Sequence, residues 1–338
     1  MSAATETEVP AEFAQALREL GLEKAGGMAG TPLTGGVSSD IWLIQTAQGP
    51  VCAKRALAKL RVAADWRAPI ERNRYEASWM RVASEAHAGC APRVLGQHPS
   101  LGVLVMEYLP PESYSLWKHR LRDGHADPAT AAQVGHVLGR IHSHSARRPE
   151  LAAEFDTDTI FFDIRLEPYL LATAEKHPDL ASRLVHLVDV TRSSRLALVH
   201  GDVSPKNILI GTDGPVFLDA ECAWWGDPAF DIAFCLNHLL LKCLWTPAAT
   251  PEFMASYDAL AEAYLQAVDW ELSGVLEQRA ADLLPGLFLA RIDGKSPVEY
   301  VTEERQREQV RRVARELLKH PVGSLRSVRI RWAEELDQ

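Results

Sequence analysis

The sequence predicts an α+β chain in two lobes, an antiparallel-sheet N-lobe followed by a larger, mainly helical C-lobe. Three observations predict it. Short apolar runs separated by turns fill Thr31 to Leu57 and return at Leu101 to Leu109. Pro110-Pro111 then ends the last run, because proline cannot donate to a strand ladder. Beyond it the apolar spacing becomes helical. The expected division is residues 1–30 as an N-terminal extension, 31–110 as the N-lobe and 111–338 as the C-lobe.

A chain of 338 residues, 47% hydrophobic and 24% charged, is long enough for two cores or one large one. Its net charge of -9 gives no basic excess for nucleic acid or an anionic membrane. Met1 to Val9 carries Glu6 and Glu8 and no apolar run, which does not read as a secretory leader. The five cysteines show no C-x-x-C spacing and read as reduced thiols of a cytoplasmic protein. Asn237, His238 and Lys242 interrupt the longest apolar stretch, Ile232 to Trp245, so it is too polar to span a bilayer.

Taken in order, Pro10 to Leu22 spaces Phe13, Ala16, Leu17 and Leu20 as a short amphipathic helix. Thr31-Pro32-Leu33, Ile41 to Ile44 and Val51 to Lys54 read as three antiparallel strands. Gly35-Gly36 in the first turn would let backbone N–H groups approach phosphates with no Cβ in the way. Lys54 ends the third strand among apolar neighbours, and a half-buried lysine needs an anionic partner. Glu71 and Glu76, on the helix expected from Ile70 to Ala88, are the available carboxylates; Glu76 lies deeper in the pattern. After the prolines, helices are expected at Ala129 to Ser143, Asp179 to Val190, Ala229 to Leu244, Ala255 to Trp270, Leu272 to Leu289 and Glu303 to Lys319. His142 and His144 do not share a helix face, so His142 reads as a core histidine. Asp163, Arg165 and Glu167 punctuate an aromatic stretch, and Arg291, Asp293 and Lys295 fall in a break after the penultimate helix.

The chemistry concentrates at Val199 to Asp231. An apolar run ends in His200-Gly201-Asp202, and Asn207 follows five residues after Asp202. Two apolar runs flank the turn Thr212-Asp213-Gly214, a hairpin signal, and Asp219 closes the second. Phosphoryl transfer asks for this set: one carboxylate to orient a hydroxyl, an amide and a second carboxylate to hold Mg²⁺. Gly294-Lys295-Ser296 imitates the end of a P-loop, but Leu289 stands where its first glycine belongs.

These motifs resemble the aminoglycoside phosphotransferase and choline kinase superfamily, small-molecule kinases with a protein-kinase-like fold. The likeness covers about Leu33 to Asp231 and rests on His200-Gly201-Asp202 with Asn207, Leu218-Asp219-Ala220-Glu221, and Gly226-Asp227-Pro228-Ala229-Phe230-Asp231. Gly35-Gly36-Val37-Ser38-Ser39-Asp40 is similar to the family's nucleotide loop. Gly201 and Ala220-Glu221 stand where protein kinases place arginine and Phe-Gly, which favours the small-molecule branch.

The resemblance implies ATP and Mg²⁺ as cofactors and an ATP site between the lobes. It makes Asp202 the catalytic base and Asn207 and Asp219 the Mg²⁺ ligands. Gly35, Gly36, Ser38 and Ser39 would cradle phosphates, with Lys54, held by Glu76, on the α- and β-phosphates. Met106, Glu107 and Leu109 would form the hinge that reads adenine. Asp231 would accept hydrogen bonds from the catalytic loop, and His200 would orient that loop.

Ser204 departs from protein kinases, which place a lysine there; Lys206, two residues on, is expected to face solvent. Expected substrate contacts are Asp163, Arg165, Glu167, Arg291 and Asp293, with Arg291 and Asp293 pairing to each other as the competing reading. Ten lysines and arginines against twenty acids from Asp163 to Glu299 are compatible with a cationic substrate, whereas arginines and Lys295 facing the cleft would favour an anionic group. The acceptor is expected to be a small alcohol; a nucleotide-binding regulatory module without turnover is the alternative.

Overall fold

The strand pattern of the first hundred residues becomes a six-stranded sheet. The computed structural model describes residues 7–24, 28–33, 39–57 and 69–337. The chain divides into two compact units, Met1–Ser113 and Tyr114–Gln338.

In the first unit the strands are β1 (Thr7–Glu8), β2 (Ala29–Pro32), β3 (Ser39–Thr46), β4 (Gly49–Ala56), β5 (Val94–His98) and β6 (Val103–Glu107). Two helices, α1 (Ala11–Glu19) and α2 (Arg72–Ala86), accompany them. The sheet order is β1-β2-β3-β4-β6-β5 with every pair antiparallel. The segment set apart by sequence as an extension is part of this unit. Phe13, Ala16 and Leu17 of α1 join Ile44, Val51, Ala53, Val103 and Val105 in one buried cluster. A one-sided sheet needs such a cover for its apolar face. Two further strands escaped the sequence reading. β1 has only two residues, and β5 mixes Gly96, Gln97 and His98 with few apolar side chains.

The second unit is mainly helical. Its strands are β7 (Ser115–Leu116), β8 (Ala197–Val199), β9 (Ile208–Gly211), β10 (Gly214–Phe217) and β11 (Trp224–Gly226). Its helices are α3 (Trp117–Arg122), α4 (Pro128–Ala146), α5 (Leu151–Glu154), α6 (Asp158–Phe161), α7 (Ala172–Lys176), α8 (Ala181–Ser193), α9 (Ala229–Trp245), α10 (Thr250–Gln266), α11 (Ser273–Asp293), α12 (Glu304–Lys319) and α13 (Leu325–Leu336). Asp127 caps α4 by accepting from the backbone N–H groups of Ala129 and Thr130 at 3.1 and 3.0 Å, with Pro128 in the first turn. α9 is buried from Ala229 to Leu244, as expected of a helix apolar on all sides. α4 packs closely on α10: a Cβ at Gly135 would lie 2.2 Å from the carbonyl oxygen of Leu260.

Two differences from the sequence reading matter for the site. The break expected at Arg291 begins later, because α11 runs on through Asp293. Residues Phe162–Leu171, between α6 and α7, form a π-helix containing Pro168. Such wide turns carry no spacing signal of their own. The cysteines are all unpaired thiols, and burial pushes that of Cys90 up to about 12. Among the described residues no helix is long and apolar enough to cross a membrane.

Candidate functional site

In the first unit, Lys54 is the point of interest. β4 places it opposite Ile41 of β3 and Leu104 of β6, in the middle of the sheet. Its Nζ lies 2.9 and 2.8 Å from the two carboxylate oxygens of Glu76 on α2, and both side chains are buried. Glu76 is therefore the partner, not Glu71, which precedes α2. Asn73, one helical turn earlier on α2, donates to the carbonyl oxygen of Lys54 at 3.2 Å and ties that strand position to the helix.

Breaking a buried ion pair by removing one partner costs about 3–5 kcal/mol. Glu76→Ala is therefore expected to lower stability by that order, and Glu76→Gln by clearly less. Urea unfolding of both variants checks it.

Met106 is buried at the end of β6 and Glu107 is its last residue; Leu109 follows, half-buried. The Glu107 carboxylate accepts from the backbone N–H of Arg93 at 2.7 Å. Gly35, Gly36 and Ser38 lie outside the described residues. Ser39 opens β3 and is buried.

The second unit gathers the rest. β9 and β10 form the expected hairpin, with Phe217 opposite Ile208. Leu218 then donates its N–H to the carbonyl oxygen of Asn207 at 2.8 Å, which brings Asn207 beside Asp219. Asp219 has φ +66°, the left-handed region, and among the described residues it is the only non-glycine there. Asp tolerates that conformation at a cost, and such outliers cluster at functional positions.

The loop between β8 and β9 is held from both sides. The Asp231 carboxylate, fully buried in the first turn of α9, accepts from the backbone N–H groups of His200 at 2.7 Å and Gly201 at 2.9 Å. Behind it, His142 Nε2 lies 3.2 Å from the same carboxylate, and the Tyr264 hydroxyl sits 2.8 Å from His142 Nδ1. His142 is thus a core histidine serving this anchor. Gly201 has φ +79°, and a Cβ there would fall 2.8 Å from the carbonyl oxygen of Cys222.

Hydrogen bonding fixes the state of His200. Its Nδ1 accepts from the Asp202 N–H at 3.1 Å, so the proton is on Nε2, which donates to the Leu218 carbonyl at 3.1 Å. Burial lowers its pKa below the ordinary histidine value, so the ring is neutral near pH 7.

Asp202 is 4% exposed. Burial alone would raise its pKa, but Arg165 and Lys206 outweigh burial and hold the carboxyl below the ordinary carboxylate value. Arg165 Nη2 lies 2.9 Å and Lys206 Nζ 3.1 Å from the same oxygen, Oδ2. The Asn207 amide nitrogen donates to the Asp202 carbonyl at 3.1 Å, which leaves its amide oxygen as the metal-capable atom.

Three expectations are corrected here. Lys206 does not turn away to solvent. Its half-exposed side chain bends to Asp202, four residues earlier, because an ammonium gains most from the nearest carboxylate. Arg291 and Asp293 do not pair with each other. Asp293 accepts from Arg311 at 2.9 and 2.8 Å and contacts His177 at 2.9 Å, so its charge is already met. Arg165 is bound to the Asp202 carboxylate and to the Gly201 carbonyl. Of the other residues expected to touch substrate, Glu167 pairs with Lys295 and Asp163 is exposed.

The role of Arg165 was hidden because 37 residues and a π-helix separate it from Asp202. Among the described residues no group of three His, Cys, Asp or Glu forms a ready metal cage. Asn207 and Asp219 nevertheless fit Mg²⁺, which typically takes one or two protein ligands and completes its octahedron with water and substrate phosphates.

A family model described as a phosphotransferase enzyme family matches residues 29–271. The methylthioribose kinase of Yersinia pseudotuberculosis serotype O:3 (strain YPIII) is 27% identical over 224 residues, 58% of this chain and 54% of that protein. That of Enterobacter sp. (strain 638) is 26% identical over 239 residues, 61% and 58% of the two chains. The chain thus spans about half the length of the curated relatives it matches. Among solved structures, the Plasmodium vivax ethanolamine kinase has a TM-score of 0.55 at 14% identity, covering 87% of this chain and 84% of that one. An amicoumacin kinase in complex with AMP-PNP, Ca²⁺ and Ami has a TM-score of 0.54 at 15% identity, covering 92% and 94%. At these identities the likeness to the solved structures is one of fold.

Proposed function

The chain belongs to the phosphotransferase enzyme family, and on that premise we propose that it transfers the γ-phosphoryl group of ATP to a hydroxyl of a small molecule, with Asp202 as the base. The observation that carries the reading is the setting of Asp202. It is an ionised, buried carboxylate, clamped by Arg165 and Lys206, on a loop whose backbone Asp231 holds.

Asp202 orients the acceptor hydroxyl by accepting its hydrogen. The hydroxyl oxygen forms its bond to phosphorus as the bond to the ADP oxygen breaks, and the proton passes to Asp202. A carboxylate held below its ordinary pKa is a weak base, and this chemistry tolerates that. The transition state is loose, so the hydroxyl becomes strongly acidic only late, and orientation is the larger contribution. Lys206, with its ammonium beside Asp202 and half its side chain in solvent, is placed to meet charge on the transferred group.

Lys54, held by Glu76, is assigned to the α- and β-phosphates, with Gly35, Gly36, Ser38 and Ser39 as backbone donors. Met106, Glu107 and Leu109 are assigned to adenine. Asn207 and Asp219 would hold Mg²⁺, which when bound neutralises phosphate charge.

Release of ADP in a coupled assay tests the proposal across amino alcohols, thiosugars such as methylthioribose, hydroxy acids and sugar phosphates. The expected result is Mg²⁺-dependent ADP release with at least one of these, and ³¹P NMR of the product as a phosphate monoester. ATP binding with no turnover on any of them would favour a regulatory nucleotide-binding module instead.

A further inference from the structure

One cluster in the second unit has no part in the transfer chemistry just described, though one of its members, Arg291, is among the expected substrate contacts. His238 and Lys242 lie one turn apart on α9, so they share a face. Lys242 is 1% exposed and meets no carboxylate or other hydrogen-bond acceptor among the described residues. Its ammonium nitrogen rests 4.0 Å from the ring centroid of Trp245 and 3.9 Å from that of Tyr300. His238 is 6% exposed, and its Nε2 finds no partner among the described residues.

Arg291, on α11, is 8% exposed. Its Nη1 bonds the Tyr169 hydroxyl at 3.1 Å and Ser296, but its Nε, buried, has no partner among the described residues. The Tyr300 hydroxyl is likewise without one. The carboxylate whose charge bears on Lys242 is Glu299, and that side chain is already paired with Lys118.

This arrangement is rich in donors, and among the described residues the carboxylate bearing on it, Glu299, is taken by Lys118. Holding a cation buried without a counter-charge is costly, so the lysine placed here with an arginine and a histidine gains its full charge only with an anion beside it. A core that needed only volume would be served better by methionine or leucine. The strongest charges felt at His238, those of Arg291, Lys242, Lys206 and Lys118, are all positive. What complements such a group is a ligand made of acceptors.

The cluster also connects to the proposed reaction centre. Tyr169 is one turn of the π-helix beyond Arg165, whose guanidinium carbon lies 6.0 Å from its ring centroid. The hydroxyl of the same tyrosine accepts from Arg291. Lys206, among the charges felt at His238, is the residue that contacts Asp202.

We propose that Lys242, Arg291 and His238 bind an oxyanionic group of the substrate, a carboxylate or a phosphate ester carried on the same small molecule as the accepting hydroxyl. The inference rests on the kinase reading and deepens it. The class of acceptor is then a hydroxy acid or a sugar phosphate, and not the amine suggested by the acidic balance of the surrounding sequence. Those acids are largely engaged elsewhere: Asp227 and Glu271 with Arg279, Asp293 with Arg311, Glu167 with Lys295.

The test uses the full chain and two variants, Lys242→Met and His238→Gln. Both replacements suit a buried setting, and thermal unfolding verifies that they fold. Calorimetric titration with inorganic phosphate and with glycolate, at constant ionic strength and with ADP and Mg²⁺ present, reads the anion site directly. Binding weakened about tenfold or more in both variants supports the inference, that being the order of one charge-assisted hydrogen bond. Equal affinity in wild type and variants, or no binding of either anion to wild type, overturns it.

A parallel assay of ADP release compares glycerate and glycerol 3-phosphate with glycerol, and a hydroxy acid with its methyl ester. Turnover of neutral or amine-bearing alcohols alone, with anion binding unchanged in the variants, sinks the inference and leaves the kinase reading standing. Anion binding lost in the variants, with no alcohol turned over, supports the anion site and counts against the kinase reading.

Discussion

Replacing Asp202 by alanine is expected to lower phosphoryl transfer by about 10²- to 10⁴-fold, the range of a positioned general base, with ATP affinity nearly unchanged. The same change leaves the Arg165 guanidinium buried without its carboxylate, with a stability loss of about 3 kcal/mol. Asp202→Asn separates the two effects. It keeps the shape and one acceptor oxygen for Arg165, so stability recovers in part while the proton acceptor stays lost. Steady-state kinetics, nucleotide titration and urea unfolding of both variants provide the check. Turnover of either at the wild-type rate would remove Asp202 from the role of base.

Asp231→Ala is expected to be the more damaging change to the fold. Its carboxylate satisfies two buried backbone N–H groups and faces His142, and none of these has access to water. Leaving a buried donor unsatisfied costs about 1–3 kcal/mol each, so the total is about 3 kcal/mol or more. The loop that carries Asp202 loses its anchor at the same time, so kcat should fall even where the variant remains folded. Asp231→Asn retains one acceptor but turns an amide N–H₂ toward a backbone donor, so it should rescue stability only in part. Chemical unfolding shows it; a loss under about 1 kcal/mol for the alanine variant would mean the loop is held by something else.

Most of the strand and helix order was legible from residue spacing. Lys54 and Glu76 could be paired in advance because a lysine in a central strand has few ways to meet its charge. The role of Asp231 came from the family resemblance carried by Gly226 to Asp231, not from spacing. What stayed hidden depended on contacts that spacing does not encode. Arg165 reaches Asp202 from a π-helix, whose wide turn has no sequence period. Lys206 has the same composition context whether it faces solvent or folds back on a carboxylate four residues away. Lys242 and His238 looked like polar interruptions of an apolar helix, and only the packing of α11 and Tyr300 around them shows that they share one buried place. Asp293 was misjudged for the opposite reason: an apparent loop acid is the C-terminal residue of a longer helix, held by Arg311.

The buried amine of Lys242 also makes the chain a proton-coupled device. Burial, with Lys118 and Arg291 nearby, pushes its pKa down from the ordinary lysine value to about 6, against the weaker pull of Glu299. Between about pH 6 and the ordinary lysine value near 10.5, the unfolded chain therefore holds a proton there that the folded chain does not. Unfolding takes up that proton, so this residue makes stability rise with pH across the window and fall on acidification toward pH 6. An anion seated beside the amine would restore its charge in the folded state. Its binding should then draw a proton from solution at neutral pH, visible as a binding enthalpy that changes with the ionisation enthalpy of the buffer. Lys242→Met should lose both the slope of stability with pH and the proton uptake. The charge state of a single side chain would thus link acidity, folding and the seating of an anion.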